Sequence, residues 1–427
     1  NNLVIICAIL LLVLLFLKVP VYIAVLSASA VYFIGTPGMN LSIFAQKTIS
    51  GAEGLSLLAI PFFVCAGIFM NYTGVTKRIM NCCEVLTARM PGGLAQVNIL
   101  LSTLMGGLSG SSLADAAMQC KMLVPTMESK GYSKSFSTVI TAASGMVVPL
   151  IPPGVGLIIY GCINNISIGK LFIAGIGPGI VLCVTLMIFT HFLSKKRGYL
   201  PSRTTKIPVS EKIAAVRPAF LPLLLPIIII GGVRIGVFTA SEAGTVAIVY
   251  AVLLGLLYKE LTLKNVMQGC KETVTTTASI MLIVAAATCF SWILTKEQIP
   301  QQFSQWMISN IHNKYVFLIM VNIFLLIVGM FIEGNASMIV LAPLLHPVAM
   351  AYGIDDIHFA MVYIFNCTIG AFTPPMGTLM FVSCGITKCP TKDFIKEAVP
   401  FYILFAIDII VLTYIPQLTT FLVNVFY

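Results

Sequence analysis

Charged residues are scarce in this chain of 427 residues: they make up 9% of it, against about 25% in soluble domains. Hydrophobic residues make up 58%, and the mean hydropathy is +1.00. The longest charge-rich stretch, residues 194–217, is too short for a soluble domain. Since about 20 apolar residues cross a bilayer as a helix, the composition excludes a water-soluble fold and predicts an all-α polytopic membrane protein.

Motifs of intramembrane enzymes and of metal centres are also missing. The chain contains neither HExxH nor GxSxG, so it is not expected to be an enzyme. The 12 cysteines form no CxxC pair and the four histidines are scattered, which favours buried thiols over disulfides or a zinc site. The net charge of +10 comes from cations in short loops between apolar runs, so it indicates orientation in a membrane rather than nucleic-acid binding.

A duplication at one fixed spacing is the strongest pattern in the sequence. Eight residues recur 222 positions later, and most of them are glycines or prolines, which bend or end a helix. The pairs are Gly107 and Gly329, Pro125 and Pro347, Gly131 and Gly353, Pro152 and Pro374, Pro153 and Pro375, Cys162 and Cys384, Phe172 and Phe394, and Pro178 and Pro400. A repeated backbone shape in so apolar a chain predicts a transporter built from two repeats, at residues 1–200 and 218–427.

Each repeat is predicted to contain a re-entrant helical hairpin, at residues 92–128 and 314–350. The middle of the first is rich in glycine and serine from Met105 to Ser112, which a lipid-facing helix does not tolerate. Lysines and arginines lie both before and after this hairpin in the sequence, so both of its ends are predicted to be cytoplasmic. The second has few cations before it and Asp355-Asp356 after it, so it is predicted to open to the opposite side.

A broken transmembrane helix is predicted after each hairpin, at residues 136–165 and 358–387. Each contains a double proline, which removes two backbone donors and clashes with the preceding turn. The remaining predictions are scaffold helices at about 1–90 and 219–295 and one closing span per repeat, at 170–193 and 398–425.

Five crossings and one hairpin per repeat give an odd number of crossings, so the second repeat is predicted to be inverted relative to the first. This topology places most of the 25 lysines and arginines in the cytoplasm. Lys18 and the basic linker at residues 194–217 are among these cytoplasmic positions. Both termini are then outside. Residues 1–17 are apolar and have no cleavage site, so they are expected to form the first span rather than a signal peptide.

The hairpin tips and the helix breaks are the candidate binding sites. Unwound backbone at membrane depth exposes carbonyls and hydroxyls that coordinate a cation such as Na⁺, while half-helix N-termini face an anion. The first predicted oxygen cup combines Ser109, Gly110, Ser111 and Ser112 with the break at residues 148–151. The second combines Glu333, Gly334, Asn335 and Ser337 with Gly370, Phe372 and Thr373. Two such cups imply at least two ions.

Two carboxylates near the tips have more than one interpretation. Asp115 follows Ser112 by three residues, as in a capping box, or else it adds negative charge beside an ion. Glu333 is a coupling-ion ligand, a proton acceptor or the partner of a polar neighbour, since an unpaired carboxylate at membrane depth is costly. Of the other polar residues, Glu242 is predicted to begin a helix, Asp408 to pair locally or with a partner subunit, and Arg234 to anchor at the membrane interface.

The segment Gly106-Gly107-Leu108-Ser109-Gly110-Ser111-Ser112-Leu113-Ala114-Asp115-Ala116-Ala117 resembles the first-hairpin signature of the large membrane subunit of tripartite ATP-independent periplasmic (TRAP) transporters, the DctM-like family. Three further segments share the resemblance, with the expected spacing from about residue 15 to about 410. They are Ile60-Pro61-Phe62-Phe63, Ile151-Pro152-Pro153 and Gly370-Ala371-Phe372-Thr373-Pro374-Pro375-Met376-Gly377.

The resemblance implies import of an organic acid across the bacterial inner membrane, driven by a Na⁺ gradient and without ATP. It also implies two partners, a periplasmic substrate-binding protein and a small four-helix membrane subunit, and an elevator movement of hairpins and broken helices against a static scaffold. Carried over residue by residue, the first sodium site comprises Ser109, Gly110, Ser111, Ser112, Val148 and Pro149, and the second comprises Gly334, Asn335, Gly370 and Thr373. The substrate is expected near Ser112, Pro153, Asn335 and Pro375.

Alternatives remain open at this point. A Na⁺/dicarboxylate symporter of the divalent-anion type, working without partners, is the second interpretation. A channel is less favoured, because mirrored hairpins suit alternating access better than a continuous pore. Overall resemblance favours sialic acid among the acidic substrates, with C4-dicarboxylates and keto acids as the other classes, and no single residue decides between them.

Overall fold

The computed structural model describes residues 2–17, 19–375 and 377–427, and the described residues form helices without any strand. The first-span and cytoplasmic-cation predictions for Asn1 and Lys18, and the motif position Met376, lie outside the described residues. The helices are α1 (Asn2–Phe16), α2 (Val21–Gly35), α3 (Leu41–Ser50), α4 (Ala59–Asn71), α5 (Val75–Thr87), α6 (Gly93–Ser109), α7 (Ser112–Ser129), α8 (Lys134–Gly145), α9 (Val155–Asn164), α10 (Ile168–Lys196), α11 (Val209–Arg234), α12 (Ala240–Leu257), α13 (Leu263–Lys296), α14 (Ile299–Asn310), α15 (Lys314–Phe331), α16 (Gly334–Ala351), α17 (Asp356–Phe372), α18 (Thr378–Thr387), α19 (Thr391–Tyr414) and α20 (Gln417–Phe426).

Six of these helices are long and apolar enough to cross a membrane, or up to eight if each of two bent pairs is one span. The bent pairs are α4 with α5, at 67°, and α19 with α20, at 48°. The predicted all-α polytopic fold class is therefore confirmed. The closing span predicted at 398–425 corresponds to the bent pair α19 and α20, whose helices meet at Ile415 and Pro416, because a proline restricts the residue before it to extended backbone.

The helix boundaries repeat at the spacing found in the sequence. Helix α7 and helix α16 have the same length, with both ends shifted by 222 residues. The α6–α7 and α15–α16 pairs are each joined by two residues, and each is followed by a broken pair, α8 with α9 and α17 with α18. Both double prolines contain a cis peptide bond. The inverted orientation and the division at residues 200 and 218 stay predictions.

The two halves differ most in their scaffold. Helix α13 is one continuous helix of 34 residues, whereas the corresponding stretch of the first half is divided into α3, a 3-10 turn at Leu55–Leu58 and α4. At 1.5 Å per residue, α13 is about 51 Å long and exceeds the roughly 30 Å hydrocarbon core. One large core joins most elements, and a smaller one joins α1, α2 and the second half of α13.

The basic linker is shorter than predicted. Residues 194–196 belong to α10 and residues 209–217 to α11, because the helices continue past their apolar parts into the charged stretch. The remaining residues pack against the ends of α5 and α6: the Tyr199 carbonyl accepts from the Gly92 N–H at 3.1 Å, and the Arg203 N–H donates to the Ala88 carbonyl at 2.9 Å.

Candidate functional site

One cavity of about 420 Å³ lies between the two hairpin tips. Both tips contribute to its wall, as do Pro149 at the first helix break and residues of α4 and α13. The two tips are more than 200 residues apart in sequence, yet they and Pro149 face the same cavity.

The first tip is a two-residue turn between α6 and α7. Gly110 ends α6 with φ of +63°, a left-handed conformation that glycine adopts without a side-chain penalty. Ser111 is the N-cap of α7, and its hydroxyl accepts from the Ala114 N–H at 3.4 Å. The Gly110 carbonyl accepts from the Val155 N–H at 3.4 Å, so the tip is bonded directly to the start of α9.

Glycines allow close backbone approach around this tip. A Cβ on Gly110 would lie 2.9 Å from the Pro153 carbonyl oxygen, and one on Gly67 of α4 would lie 2.6 Å from the Ser109 carbonyl oxygen. A Cβ on Gly106 would lie 3.2 Å from the Val148 carbonyl oxygen. The tip is thus held between α4 on one side and the broken helix on the other.

The second tip is built in a similar way. Ile332 and Glu333 join α15 to α16, and the Glu333 carboxylate caps α16 by accepting from the Ala336 N–H at 3.1 Å. Behind the tip, α15 and α17 pack backbone to backbone, since a Cβ on Gly329 would lie 2.8 Å from the Gly370 Cα. The Glu333 carboxylate is therefore a helix cap that also reaches the cavity wall, and its three interpretations stay predictions.

Four helix N-termini converge on the cavity. Its wall includes the first residues of α7, α9, α16 and α18, represented by Ser112, Val155, Gly334 and Thr378. Helix N-termini carry partial positive charge and unpaired N–H groups. No lysine or arginine lines the described part of the cavity. An anion bound here would be held by helix ends and hydroxyls.

The predicted site residues fall into two groups. Those in the cavity wall are Ser109, Gly110, Ser111, Ser112, Pro149, Glu333, Gly334 and Asn335. Those outside the described wall are Asp115, Val148, Pro153, Ser337, Gly370, Phe372, Thr373 and Pro375. Pro153 and Pro375 do not line the cavity, because α9 and α18 begin two to three residues after them and their first residues, Val155 and Thr378, line it instead.

Two of the residues outside the wall, Gly370 and Thr373, form hydrogen bonds within the C-terminal turn of α17. The Gly370 carbonyl accepts from the Thr373 N–H at 3.0 Å. The Thr373 hydroxyl donates to the Ile369 carbonyl at 2.7 Å. These bonds close the last turn of α17.

Several polar wall residues were not predicted. They are Asn71, Thr276, Ser279, Thr368 and Thr378. The signal for two of them was present in the sequence, since Thr275-Thr276-Thr277-Ala278-Ser279 is a run of hydroxyls directly before the apolar half of α13. Such a run at membrane depth marks a helix face turned away from lipid.

Asp115 does not form the predicted capping box. Helix α7 is capped by Ser111 rather than Ser112, which moves Asp115 one position beyond the capping-box site. Its carboxylate instead accepts from the Ser102 hydroxyl at 2.7 Å and from the Gln119 amide at 2.8 Å, and the residue is 2% exposed. Asp115 thus ties α6 to α7 inside the first hairpin.

Replacing Asp115 by alanine is expected to destabilise the protein, because each buried polar partner left without an acceptor costs about 1–3 kcal/mol. Asp115→Asn keeps one acceptor oxygen and is expected to cost less. Thermal unfolding of the purified protein measures both effects. The sodium dependence of uptake should be unchanged in Asp115→Asn, and a changed one would show that the carboxylate acts on the coupling ion after all.

The other polar residues have local partners. Glu242 forms a capping box with Thr239, as its predicted position at a helix start implies. Asp408 accepts from the Thr185 hydroxyl at 3.0 Å. Arg234 is exposed and donates to the Phe426 carbonyl at 2.9 Å, at the end of α20.

Comparisons with known proteins agree on one family. The sequence profile described as "Tripartite ATP-independent periplasmic transporter, DctM component" matches residues 8–418. The chain is 39% identical to the sialic acid TRAP transporter large permease protein SiaM of Vibrio cholerae, over 97% of this chain and 96% of the relative. It is 35% identical to the 2,3-diketo-L-gulonate TRAP transporter large permease protein YiaN of Escherichia coli, over 93% and 94%.

A third relative is the C4-dicarboxylate TRAP transporter large permease protein DctM of Pseudomonas aeruginosa, with 36% identity over 89% of each chain. Among solved structures, the YdaH transporter of Alcanivorax borkumensis aligns with a TM-score of 0.61, covering 97% of this chain and 98% of that chain. The sequence identity to that transporter is 12%, so this likeness concerns the fold alone.

Proposed function

This chain belongs to the DctM family of tripartite ATP-independent periplasmic transporters, and we propose that it imports an organic acid anion by coupling it to entry of Na⁺. It is a multi-pass protein of the bacterial inner membrane. The observation that carries the proposal is the cavity between the hairpin tips, where four helix N-termini meet without a basic side chain in the described wall.

The substrate is an anion small enough for the cavity. Helix N-termini and their free N–H groups bind carboxylates, and 420 Å³ lies within the roughly 300–1,000 Å³ typical of small-molecule sites. The named relatives transport sialic acid, 2,3-diketo-L-gulonate and C4-dicarboxylates. We therefore propose an organic acid of these classes, held near Ser112 and Asn335, with Pro153 and Pro375 preceding the wall residues Val155 and Thr378.

Sodium is proposed to bind at the tips. The Ser109 hydroxyl is buried and has no hydrogen-bond partner among the described residues, and oxygen ligands suit a hard cation. The first cup comprises Ser109, Gly110, Ser111 and Ser112 with the carbonyls of Val148 and Pro149. The second comprises Gly334 and Asn335 with Gly370 and Thr373, and it requires a shift of the bonds that close α17. At least two ions per cycle follow from two cups.

The movement is proposed to be an elevator. The cavity has two kinds of wall: the hairpins and broken helices on one side, and α4 and α13 on the other. Gly67 of α4 lets the first tip approach without an intervening side chain, which suits a sliding surface. Hairpins and broken helices would carry substrate and ions past α4 and α13. The substrate would stay in contact with the N-termini of α7, α9, α16 and α18 during this movement.

Two partners complete the transporter under this proposal. A periplasmic binding protein supplies the substrate, and a small four-helix membrane subunit packs beside the scaffold. Exposed apolar side chains on α1 and α12, such as Ile5 and Leu253, are suited to contact with that subunit or with lipid.

Reconstitution into proteoliposomes tests the proposed function. Uptake of the organic acid is expected only when a Na⁺ gradient, the binding protein and the small subunit are all present, and to fall to the level of empty liposomes when any one is omitted. Replacing Na⁺ by K⁺ at equal ionic strength controls for membrane potential. Uptake by this chain alone would support the self-sufficient symporter instead.

A further inference from the structure

A groove on the outer surface of α10 and α19 has no role in the site described above. It has a volume of about 450 Å³ and shares no lining residue with the cavity between the hairpin tips. Its walls are Ile188, Phe189, Phe192, Leu193 and Leu404, with Thr185 at one end and Lys196 at the other. All but Leu404 belong to α10, at the three- and four-residue spacing of one helix face.

The two helices run antiparallel along this groove. At one end Arg197 and Glu397 form an ion pair with an N–O distance of 2.5 Å, and at the other the Thr185 hydroxyl donates to Asp408. The Phe189 and Phe401 rings pack edge to face at 5.0 Å between them. The floor of the groove is therefore fixed by side-chain contacts along its whole length.

The groove is apolar except at the Lys196 end. Ile188 is 54% exposed and Phe192 is 67% exposed, so this surface is open. Lys196 is exposed and has no ion pair among the described residues. Glu397, the acidic residue next to this end, is already paired with Arg197. Lys195 lies one position away. An anionic group would meet an unpaired cation here.

The length of the groove matches one leaflet of a membrane. Thr185 and Lys196 are 11 positions apart on α10, which is about 16 Å at 1.5 Å per residue. Half of the hydrocarbon core is about 15 Å thick. An acyl chain lying along Ile188 and Phe192 would thus place its phosphate at the level of Lys196.

We propose that this groove is a binding site for an anionic phospholipid, with one acyl chain along α10 and the phosphate and headgroup at Lys196. Juxtamembrane cations attract anionic lipids, and one lysine near the surface changes lipid affinity about fivefold. Because α10 directly follows the first broken helix, the lipid would be attached to the part of the protein that carries the first tip.

Quenching of tryptophan fluorescence by brominated lipids tests this site. The chain has two tryptophans, Trp292 and Trp306, and replacing both by phenylalanine gives a background for a single Phe192→Trp reporter. The protein is reconstituted with its small subunit, and the emission of the same complex without the reporter is subtracted. Brominated phosphatidylglycerol is then compared with brominated phosphatidylcholine.

Phosphatidylglycerol is expected to bind about fivefold more tightly than phosphatidylcholine at the Phe192→Trp reporter, and the preference should weaken in high salt. Adding Lys196→Gln should abolish it, whereas Lys195→Gln should leave it largely intact. A reporter at Ile180→Trp, also on α10 and 51% exposed but outside the groove, should show no preference.

Three results would each overturn the proposal. Equal quenching by the two lipids at Phe192→Trp would show that the groove is ordinary lipid contact. A preference that survives Lys196→Gln would place the anionic site elsewhere. Absence of quenching by both lipids would show that the small subunit covers the groove.

Discussion

Replacing Gly110 by alanine is expected to reduce uptake about tenfold or more. The left-handed backbone at Gly110, with φ of +63°, costs an L residue roughly 1–2 kcal/mol. The new Cβ would also lie 2.9 Å from the Pro153 carbonyl oxygen and 3.3 Å from the Val155 nitrogen. Both are backbone atoms, so the first tip has to move away from α9, and the cavity wall moves with it.

Gly131→Ala is the matched control for this prediction. Gly131 also has a left-handed backbone, with φ of +87°, but a Cβ there would meet nothing within 4 Å. The control therefore carries the backbone cost without the clash, and it should retain most of the uptake. Rates are measured in proteoliposomes containing equal amounts of folded protein, judged by size-exclusion chromatography. Equal rates for the two variants would mean that contact between the tip and the break is not required.

The double variant Ser111→Ala with Ser112→Ala is expected to lower the apparent affinity for Na⁺ about a hundredfold. In the proposed sodium site each of these hydroxyls is a ligand to a charged group, and such bonds contribute about 1.5–3 kcal/mol. Both residues lie in the cavity wall. The measurement is the initial rate of uptake as a function of Na⁺ concentration at a fixed concentration of substrate-loaded binding protein.

Loss of a helix cap has to be separated from loss of an ion ligand in this experiment. Ser111 caps α7 at 3.4 Å, and Ser167 caps α10 through the Lys170 N–H at the same distance. Ser167→Ala therefore removes a comparable cap away from the cavity, at a cost of about 1 kcal/mol, and its sodium dependence should equal that of the unmodified protein. If the double variant behaves like Ser167→Ala, the serine hydroxyls have no part in sodium coupling.

Much of the architecture follows from local chemistry that the sequence displays. Gly110 and the double prolines constrain the backbone through their own covalent structure, so the first tip and the two helix breaks lie where these residues occur. The spacing of 222 residues adds a second, independent prediction, because a feature read in one half is expected in the other. Helices α7 and α16, with identical lengths, illustrate this agreement.

Other features depend on packing that a single segment does not contain. The register of Asp115 was wrong by one position because Ser111 and Ser112 are equally good caps in isolation, and only contact with Ser102 and Gln119 on the assembled hairpin decides between them. The contribution of Thr276 and Ser279 to the cavity depends on how α13 is rotated against the tips. The sequence also did not show which residues of a helix break face the cavity. The prolines define where a helix ends, but not which of the neighbouring residues line the cavity.

Simultaneous measurement of radioactive sodium and labelled organic acid entering proteoliposomes tests the central claim most directly. The two proposed oxygen cups at the hairpin tips predict that at least two sodium ions enter with each substrate molecule, and that the ratio falls in the double serine variant. Substrate entry without net sodium entry, or with an unchanged ratio in that variant, would contradict the assignment of the hairpin tips as the coupling sites.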